Sequence, residues 1–273
     1  MKKWLVLAAT AVLGASLLIS GCGSSTNNAS SSGSKEVLKV AANPVPHAEI
    51  LEQVKPILAK EGVDLQIVEF TDYIQPNMAL SSHEVDANFF ANVPYQNNYN
   101  KDHGTNFVSF APVHIEPLAI YSQKIKDLKD LPNGAKVAIP SDPTNSARAL
   151  LLLQSAGLVT LKDPTGLTNT PFDITSNPKN IQITELEAAQ IPRSIQDLDA
   201  AVINANYALP AGLNPTKDGL FVEKADSPYA NLLSVNPGDK NKPAIQKLAK
   251  ALQSSEVKKF IEEHYKGAII PAF

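Results

Sequence analysis

Cysteine is almost absent from this chain: Cys22 is the only one in 273 residues. That excludes an intrachain disulfide, a thiolate metal cage and catalysis by a buried cysteine. Arginine is nearly as scarce, Arg148 and Arg193 standing against 22 lysines. No segment concentrates positive charge, so nucleic-acid binding has no electrostatic footprint. Catalytic signatures are missing too: there is no Gly-x-Ser-x-Gly elbow, P-loop or dinucleotide fingerprint. His83-Glu84 lacks the second histidine of a zinc helix, and His114-Ile115-Glu116-Pro117 lacks the cysteine pair of a zinc deaminase. These absences favour a binding protein over an enzyme, with no cofactor or metal expected.

What is present begins with an address label. Lys2 and Lys3 precede an apolar stretch, Trp4 to Ile19, shorter than the ~20 residues of a spanning helix. It ends in Ile19-Ser20-Gly21-Cys22, a small-residue site closed by the lone thiol. The pattern looks like a lipobox, in which the cysteine takes a diacylglycerol and opens the mature chain. An ordinary cleaved signal with an incidental cysteine is the alternative. Residues 1–21 are read as a lipoprotein signal peptide, and 22–35 as lipidated Cys22 with a flexible tether. Gly23 to Ser34 is nearly all Gly, Ser, Thr, Asn and Ala, too polar to order itself. Two acyl chains anchor stably, which puts the domain on the extracytoplasmic face of the cell membrane. Loss of Lys2 and Lys3 leaves 22 basic against 27 acidic residues and moves the net charge from -3 to -5.

Further along, β-branched runs alternate with helical spacing. Strands are predicted at Val37–Ala42, Leu65–Phe70, Phe107–Ser122, Ala135–Pro140, Ile181–Leu186, Ala200–Asn204 and Asn231–Asn236. Helices are predicted over His47–Glu61, Thr144–Ala156 and Pro243–Tyr265, the first two closed by Gly62 and Gly157. Such alternation implies an α/β fold with a mainly parallel sheet covered by helices. Ligands sit at the carboxyl ends of strands in these sheets, where the stiff loop Asn43-Pro44-Val45-Pro46 follows the first strand.

Three groups of residues could carry recognition. Arginine's planar fork suits a carboxylate, and Arg148 lies about a turn and a half into the helix that Asp142-Pro143 begins. Helical side chains lean toward the N-terminus, so the guanidinium and the free amides there could converge on one ligand carboxylate. A surface ion pair is the alternative. Arg193 more plainly pairs with Glu187 or Asp197. Asn204 and Asn206 close the apolar strand Ala200–Ile203, where two amides can serve a carboxylate and an ammonium or merely stabilise a turn. Tyr73, Phe89, Phe90 and Tyr95 cluster between positions 73 and 95 of a chain poor in aromatics. They could wall a slot for a thioether or pack a core.

Several segments, taken in order, resemble one family. They are Pro46-His47-Ala48-Glu49-Ile50-Leu51, Glu69-Phe70-Thr71-Asp72-Tyr73, Asp86-Ala87-Asn88-Phe89-Phe90, His114-Ile115-Glu116-Pro117 and Ile139-Pro140-Ser141-Asp142-Pro143-Thr144-Asn145. Glu187-Ala188-Ala189-Gln190, Ala201-Val202-Ile203-Asn204-Ala205-Asn206-Tyr207-Ala208 and Lys224-Ala225-Asp226-Ser227-Pro228-Tyr229-Ala230-Asn231 continue the series. The set, spanning Val37 to Phe273, is similar to the NlpA-type, MetQ-like methionine-binding lipoproteins of ABC importers. The resemblance implies a two-lobed periplasmic-binding-protein fold, type II-like, with a ligand cleft between lobes and two crossover strands. Lobe I would be 36–117 plus 231–273, and lobe II 118–230. It implies that Arg148 and Asn145 hold the ligand carboxylate and that Asn204 and Asn206 contact its backbone. Tyr73, Phe89, Tyr95 and His114 would surround the thioether, with Glu116 a further contact. Where many relatives carry Gln-His after the Phe-Phe pair, this chain has Ala91-Asn92, so Asn92 would make the slot smaller and more polar. The implied cargo is L- or D-methionine or a short peptide containing it, another apolar amino acid or dipeptide being the alternative. The implied partners are an ABC permease with its cytoplasmic ATPase and, through the lipid, the membrane. An enzyme on the same fold and a transporter-independent surface lipoprotein are the rival readings.

Overall fold

The computed structural model describes residues 35–224 and 228–273. The expected signal peptide, Cys22 and the tether up to residue 34 lie outside the described residues, as does Ala225-Asp226-Ser227.

The chain builds most of one lobe, crosses to a second, and returns. β1 (Glu36–Ala42), α1 (Glu49–Lys60), β2 (Val63–Glu69), α2 (Gln75–Ser81), β3 (Ala87–Asn92), α3 (Val93–His103) and β4 (Val108–Ile115) come first. The second lobe runs through β5 (Ala119–Tyr121), β6 (Lys136–Pro140), α4 (Pro143–Ser155), β7 (Thr160–Leu161), β8 (Ile174–Ser176) and β9 (Gln182–Leu186). It continues through α5 (Ile191–Ser194), β10 (Ala200–Ile203), α6 (Ala205–Ala208), α7 (Pro215–Asp218) and β11 (Phe221–Val222). β12 (Ala230–Val235), α8 (Pro243–Leu252), α9 (Ser255–Tyr265) and β13 (Ile270–Pro271) complete the first lobe. The sheets have strand orders β13-β4-β12-β3-β1-β2 and β11-β5-β10-β6-β9.

Each lobe has its own core. The first packs Val40, Leu51, Val54, Leu65, Phe89, Leu233, Leu248 and Ile261 together. The second covers both faces of its sheet, with Ile120, Val137, Leu150 and Val202 on one side and Tyr121, Ile191, Ile195 and Ile203 on the other. Burying such a side chain contributes ~1.5–3 kcal/mol. Helix α1 shows how sequence sets this up: Ile50, Leu51, Val54 and Leu58 share its buried face, and Gly62 takes φ +80° in the turn to β2.

Three expectations need correction, and one strand was not foreseen. Neither sheet is mainly parallel, since β12 runs antiparallel to β3 and β4, and β5 antiparallel to β10 and β11. The strand that receives each crossover, β12 or β5, runs against the parallel core β2-β1-β3 or β9-β6-β10. The single strand expected over Phe107–Ser122 is two, because the chain leaves one sheet at Ile115 and joins the other at Ala119, across Glu116-Pro117-Leu118. The helix expected over Pro243–Tyr265 breaks at Gln253-Ser254, where the Ser254 hydroxyl caps α9 by accepting from Val257 N at 3.3 Å. Finally, the aromatic segment around Phe89 is a strand, β3, buried on both faces and therefore without the alternation that marks half-buried strands.

Three strand-to-helix junctions point at the cleft. Asn92, after β3, caps α3 by accepting from Tyr95 N at 3.0 Å. Asp142, after β6, caps α4 by accepting from Asn145 N at 2.9 Å. Asn204, after β10, occupies the same position before α6 but makes no side-chain cap bond. Its amide is left for another task.

Candidate functional site

A cavity lies where these junctions meet. Tyr73, Phe90, Ala91, Asn92 and Tyr95 line it from the first lobe, Asn145, Arg148, Asn204 and Asn206 from the second, and Glu116 and Asn231 from the two crossovers. Direct bonds join the lobes beside it. The Tyr73 hydroxyl donates to Asn206 Oδ1 at 2.6 Å, and the Tyr207 hydroxyl donates to the Thr71 carbonyl at 3.1 Å. Tyr95 buttresses Tyr73 by donating its hydroxyl to the Tyr73 carbonyl at 2.7 Å. Burial pushes the phenols of Tyr73, Tyr95 and Tyr207 above their ordinary range, so they stay protonated donors.

The polar wall is a chain of amides with two open ends. Asn145 Nδ2 donates to both Asp142 carboxylate oxygens, at 3.1 and 3.0 Å, which leaves Asn145 Oδ1 to accept from Asn204 Nδ2 at 2.9 Å. Asn204 Oδ1 is then a buried acceptor with no partner. Asn206 Oδ1 is taken by Tyr73, so Asn206 Nδ2 is a buried donor with no partner. Arg148 is 3% exposed and its Cζ stands 4.2 Å from the Tyr229 ring centroid. Its Nε and Nη2 donate to Glu223 Oε1 and Oε2 at 2.9 and 2.5 Å, and Nη2 also to the Glu116 carbonyl at 2.8 Å. Nη1 has no partner among the described residues. Burial would lower the Arg148 pKa, but the Glu223 carboxylate outweighs it and raises it, keeping the cation charged.

The expected convergence of Arg148 and the α4 amides on one ligand carboxylate is therefore corrected. The anion at the helix start is the chain's own Asp142, and two arms of the guanidinium belong to Glu223. Asn145 lines the cavity, but its donor groups are committed to Asp142. Phe89 turns away from the cavity into the first-lobe core, and Phe90 faces it instead. His114 is fully buried behind the lining, not in it. Arg193 pairs with neither Glu187 nor Asp197; it borders an outer groove with Pro192, Tyr207 and Pro210. Tyr73, Asn92, Tyr95, Glu116, Asn204 and Asn206 are brought together as lining. Sequence reasoning missed Asn231, Ala91 and Glu223, each placed by long-range pairing that leaves no local signal.

Behind Glu116 lies a second layer. His47 Nε2 and His114 Nε2 sit 3.0 and 2.9 Å from the same Glu116 oxygen, Oε1, and all three residues are buried. Burial alone would raise the Glu116 carboxyl, but the adjoining imidazoles outweigh it and hold it at about 2. Burial lowers the His114 pKa, and the Glu116 contact offsets that only in part. Glu116 is thus a carboxylate at the cavity wall.

The NlpA lipoprotein family model matches residues 38–273. The D-methionine-binding lipoprotein MetQ of Salmonella typhimurium is 42% identical over 272 residues, 98% of either chain. A nutrient binding protein from Burkholderia cenocepacia, solved bound to methionine, is 48% identical, covers 86% of this chain and 100% of its own, and superimposes with a TM-score of 0.84. Lipoprotein Tp32 of Treponema pallidum is 40% identical with the same TM-score, 0.84, over 87% of this chain and 100% of its own. A match that runs through both lobes and both crossovers settles the family: the chain belongs to the NlpA lipoproteins, which are solute-binding proteins and not enzymes.

Proposed function

We propose that this lipoprotein captures free methionine, L or D, at the outer face of a membrane to which Cys22 anchors it, and delivers it to an ABC importer. The observation that carries this reading is the set of atoms the cavity leaves unpaired. Asn206 Nδ2, a donor suited to a carboxylate, and Asn204 Oδ1, an acceptor suited to an ammonium, are buried without partners, and the Arg148 guanidinium and the Glu116 carboxylate line the same cavity. Phe90, Tyr73 and Tyr95 offer an aromatic wall to which a thioether packs well. An α-amino acid with an apolar tail presents those three features in one small molecule. Relatives named for D-methionine binding or solved with methionine support the same cargo.

The lining holds no Ser, Thr, Cys, Lys or His side chain, and its one carboxylate, Glu116, is engaged on Oε1 by two imidazoles, which disfavours catalysis. Among the described residues no helix is long and apolar enough to cross a membrane, and the lipid on Cys22 would supply the attachment. Both lobes contribute contacts, so the ligand favours the closed arrangement and hinge closure would report occupancy to the permease.

Native mass spectrometry of the purified mature chain, with release of the bound molecule, tests this directly. Methionine, confirmed by calorimetric titration, is the expected result. Recovery of a dipeptide would move the cargo to the alternative, and turnover of an added ligand would overturn the binding role.

A further inference from the structure

We infer that His47, which does not line the cavity, acts with His114 as a paired Nε2–H donor that fixes Glu116 as an anion aimed into the cavity and so selects cargo carrying a free ammonium. The inference rests on the amino-acid reading of the cavity given above. Its ground is the arrangement of three buried side chains brought from three places in the chain: the segment before α1, the end of β4, and the crossover. Both imidazoles approach one oxygen, Glu116 Oε1, and Asn231 Oδ1 lies 3.2 Å from His47 Nε2. Glu116 Oε2 keeps no partner among the described residues, and Glu116 lines the cavity.

The protons can be placed by elimination. Each Nδ1, of His47 and of His114, is buried without a hydrogen-bond partner. A proton there would be a buried donor with no acceptor, and its absence from Nε2 would leave Oε1 facing bare lone pairs. The Nε2–H tautomer satisfies both sites at once. The ring planes are held for it: Phe89 packs edge-on against His47 at 5.1 Å and against His114 at 5.4 Å, and the two imidazoles are 5.0 Å apart. This gives Phe89 a part to play from the core side of β3. Spacing alone would also let the trio hold a cation, since its ligand atoms lie within 4.8 Å of one another. Metal on the Nε2 atoms would move each ring proton to Nδ1, where metal-bound histidines find an acceptor and these find none.

The consequence is a charge criterion. Two donors saturate one carboxylate oxygen, and a ligand ammonium completes the other. A des-amino or N-acylated analogue keeps the carboxylate and the tail but leaves Glu116 buried and unanswered, and a buried charged group left unpaired discriminates strongly. His47 is then a positioning residue that acts through Glu116.

Two measurements on the full mature chain test this. In 15N–1H correlation spectra at neutral pH, both rings are expected as Nε2–H with bare Nδ1; an Nδ1–H on either ring overturns the inference. Calorimetry then compares methionine with 4-(methylsulfanyl)butanoate, its des-amino analogue, on wild type, His47→Leu and His47→Gln. His47→Leu is expected to weaken methionine binding about tenfold or more while leaving the des-amino acid unchanged. His47→Gln, whose amide N–H reaches toward the former Nε2 position, is expected to restore most of the loss. Equal losses for both ligands would make His47 a packing residue and overturn the inference. Should His47→Leu fail to fold, Glu116→Gln, which must erase the preference for the amine, decides instead. A wild-type chain that ignores methionine overturns the cargo reading alone; the same comparison is then made with the co-purified ligand and its des-amino form.

Discussion

Two carboxylates lie beside Arg148, and they differ in what answers their charge. Glu223 receives two bonds from the guanidinium, so its charge is cancelled inside the protein. Glu116 receives its bonds from two imidazoles on one oxygen and meets Arg148 only through its backbone carbonyl. The second charge is therefore left for a ligand. The comparison also explains why Arg148 can be both structural and functional: three of its donor bonds go to protein, and Nη1 does not. Recognition on each wall uses a group that is half occupied, and the occupied half fixes the orientation of the open half.

The harshest way to break that contrast is Arg148→Ala. It leaves the half-buried Glu223 with only the Leu118 backbone amide, at 3.3 Å, as a partner, and removing a charged partner from such a group costs about 1–3 kcal/mol of stability. Chemical denaturation would read that loss. Adding Glu223→Gln should recover most of the stability but not methionine binding. If the double variant binds as wild type, Arg148 belongs to the scaffold and its open arm meets nothing.

Acid probes Glu116 next. Glu116 stays ionised in the fold to about 2, against an ordinary value of 4.5, so the unfolded chain binds its proton first. Stability contributed by Glu116 is present above pH 4.5 and falls as pH drops toward 2. The lowered pKa of His114 has the same sign at a higher window: the unfolded chain takes that proton first, near 6.5, and stability falls below it. Melting temperatures from pH 7 to pH 3 should therefore decline in two stages. Glu116→Gln should flatten the lower stage, and a decline unchanged by that substitution would contradict the assignment. Each kcal/mol moves the melting point by about 2–4 °C in a domain of this size.

How much of this was legible beforehand depends on whether a residue's role is local. The cap Asp142-Pro143, the periodic face of α1 and the strand before Asn204 announce themselves within a few positions, because capping and amphipathicity are short-range. The partner of Arg148 is 75 positions away, and His47 meets Asn231 across 184. No spacing rule reaches that far. Phe89 and Phe90 fall between these cases. Side chains alternate along a strand, so Phe90 shares a face with Asn92 and Phe89 does not; the parity was available once β3 was known to be a strand. With both faces buried, nothing in the pattern said so. Phe90→Leu should thus weaken methionine with little change in stability. Phe89→Leu should cost about 1 kcal/mol of stability, and it should touch affinity only through the imidazoles it supports.

The smallest expected effect tests whether the aromatic wall merely encloses the ligand or also aligns the amide wall. Among the described residues, Tyr73 is the one cavity residue of the first lobe that bonds directly to a cavity residue of the second, through Asn206 Oδ1. That bond decides which end of the Asn206 amide faces the cavity, because the accepting oxygen is engaged and the nitrogen must point inward. Tyr73→Phe keeps the ring and removes the donor. Asn206 can then turn its oxygen toward the ligand carboxylate, which replaces an attraction with a repulsion in a share of molecules. A net hydrogen bond contributes about 0.5–1.5 kcal/mol, so the dissociation constant should rise about two- to twelvefold. Most of the rise should lie in the dissociation rate, since variants of one interface differ mainly there. Stopped-flow displacement of bound methionine measures it. A faster release restored by no substitution at Asn206 would mean that Tyr73 acts on the lobes alone; restoration by Asn206→Asp is ruled out by charge, whereas Asn206→Ser, a donor that rotates freely, should make the Tyr73→Phe change nearly silent.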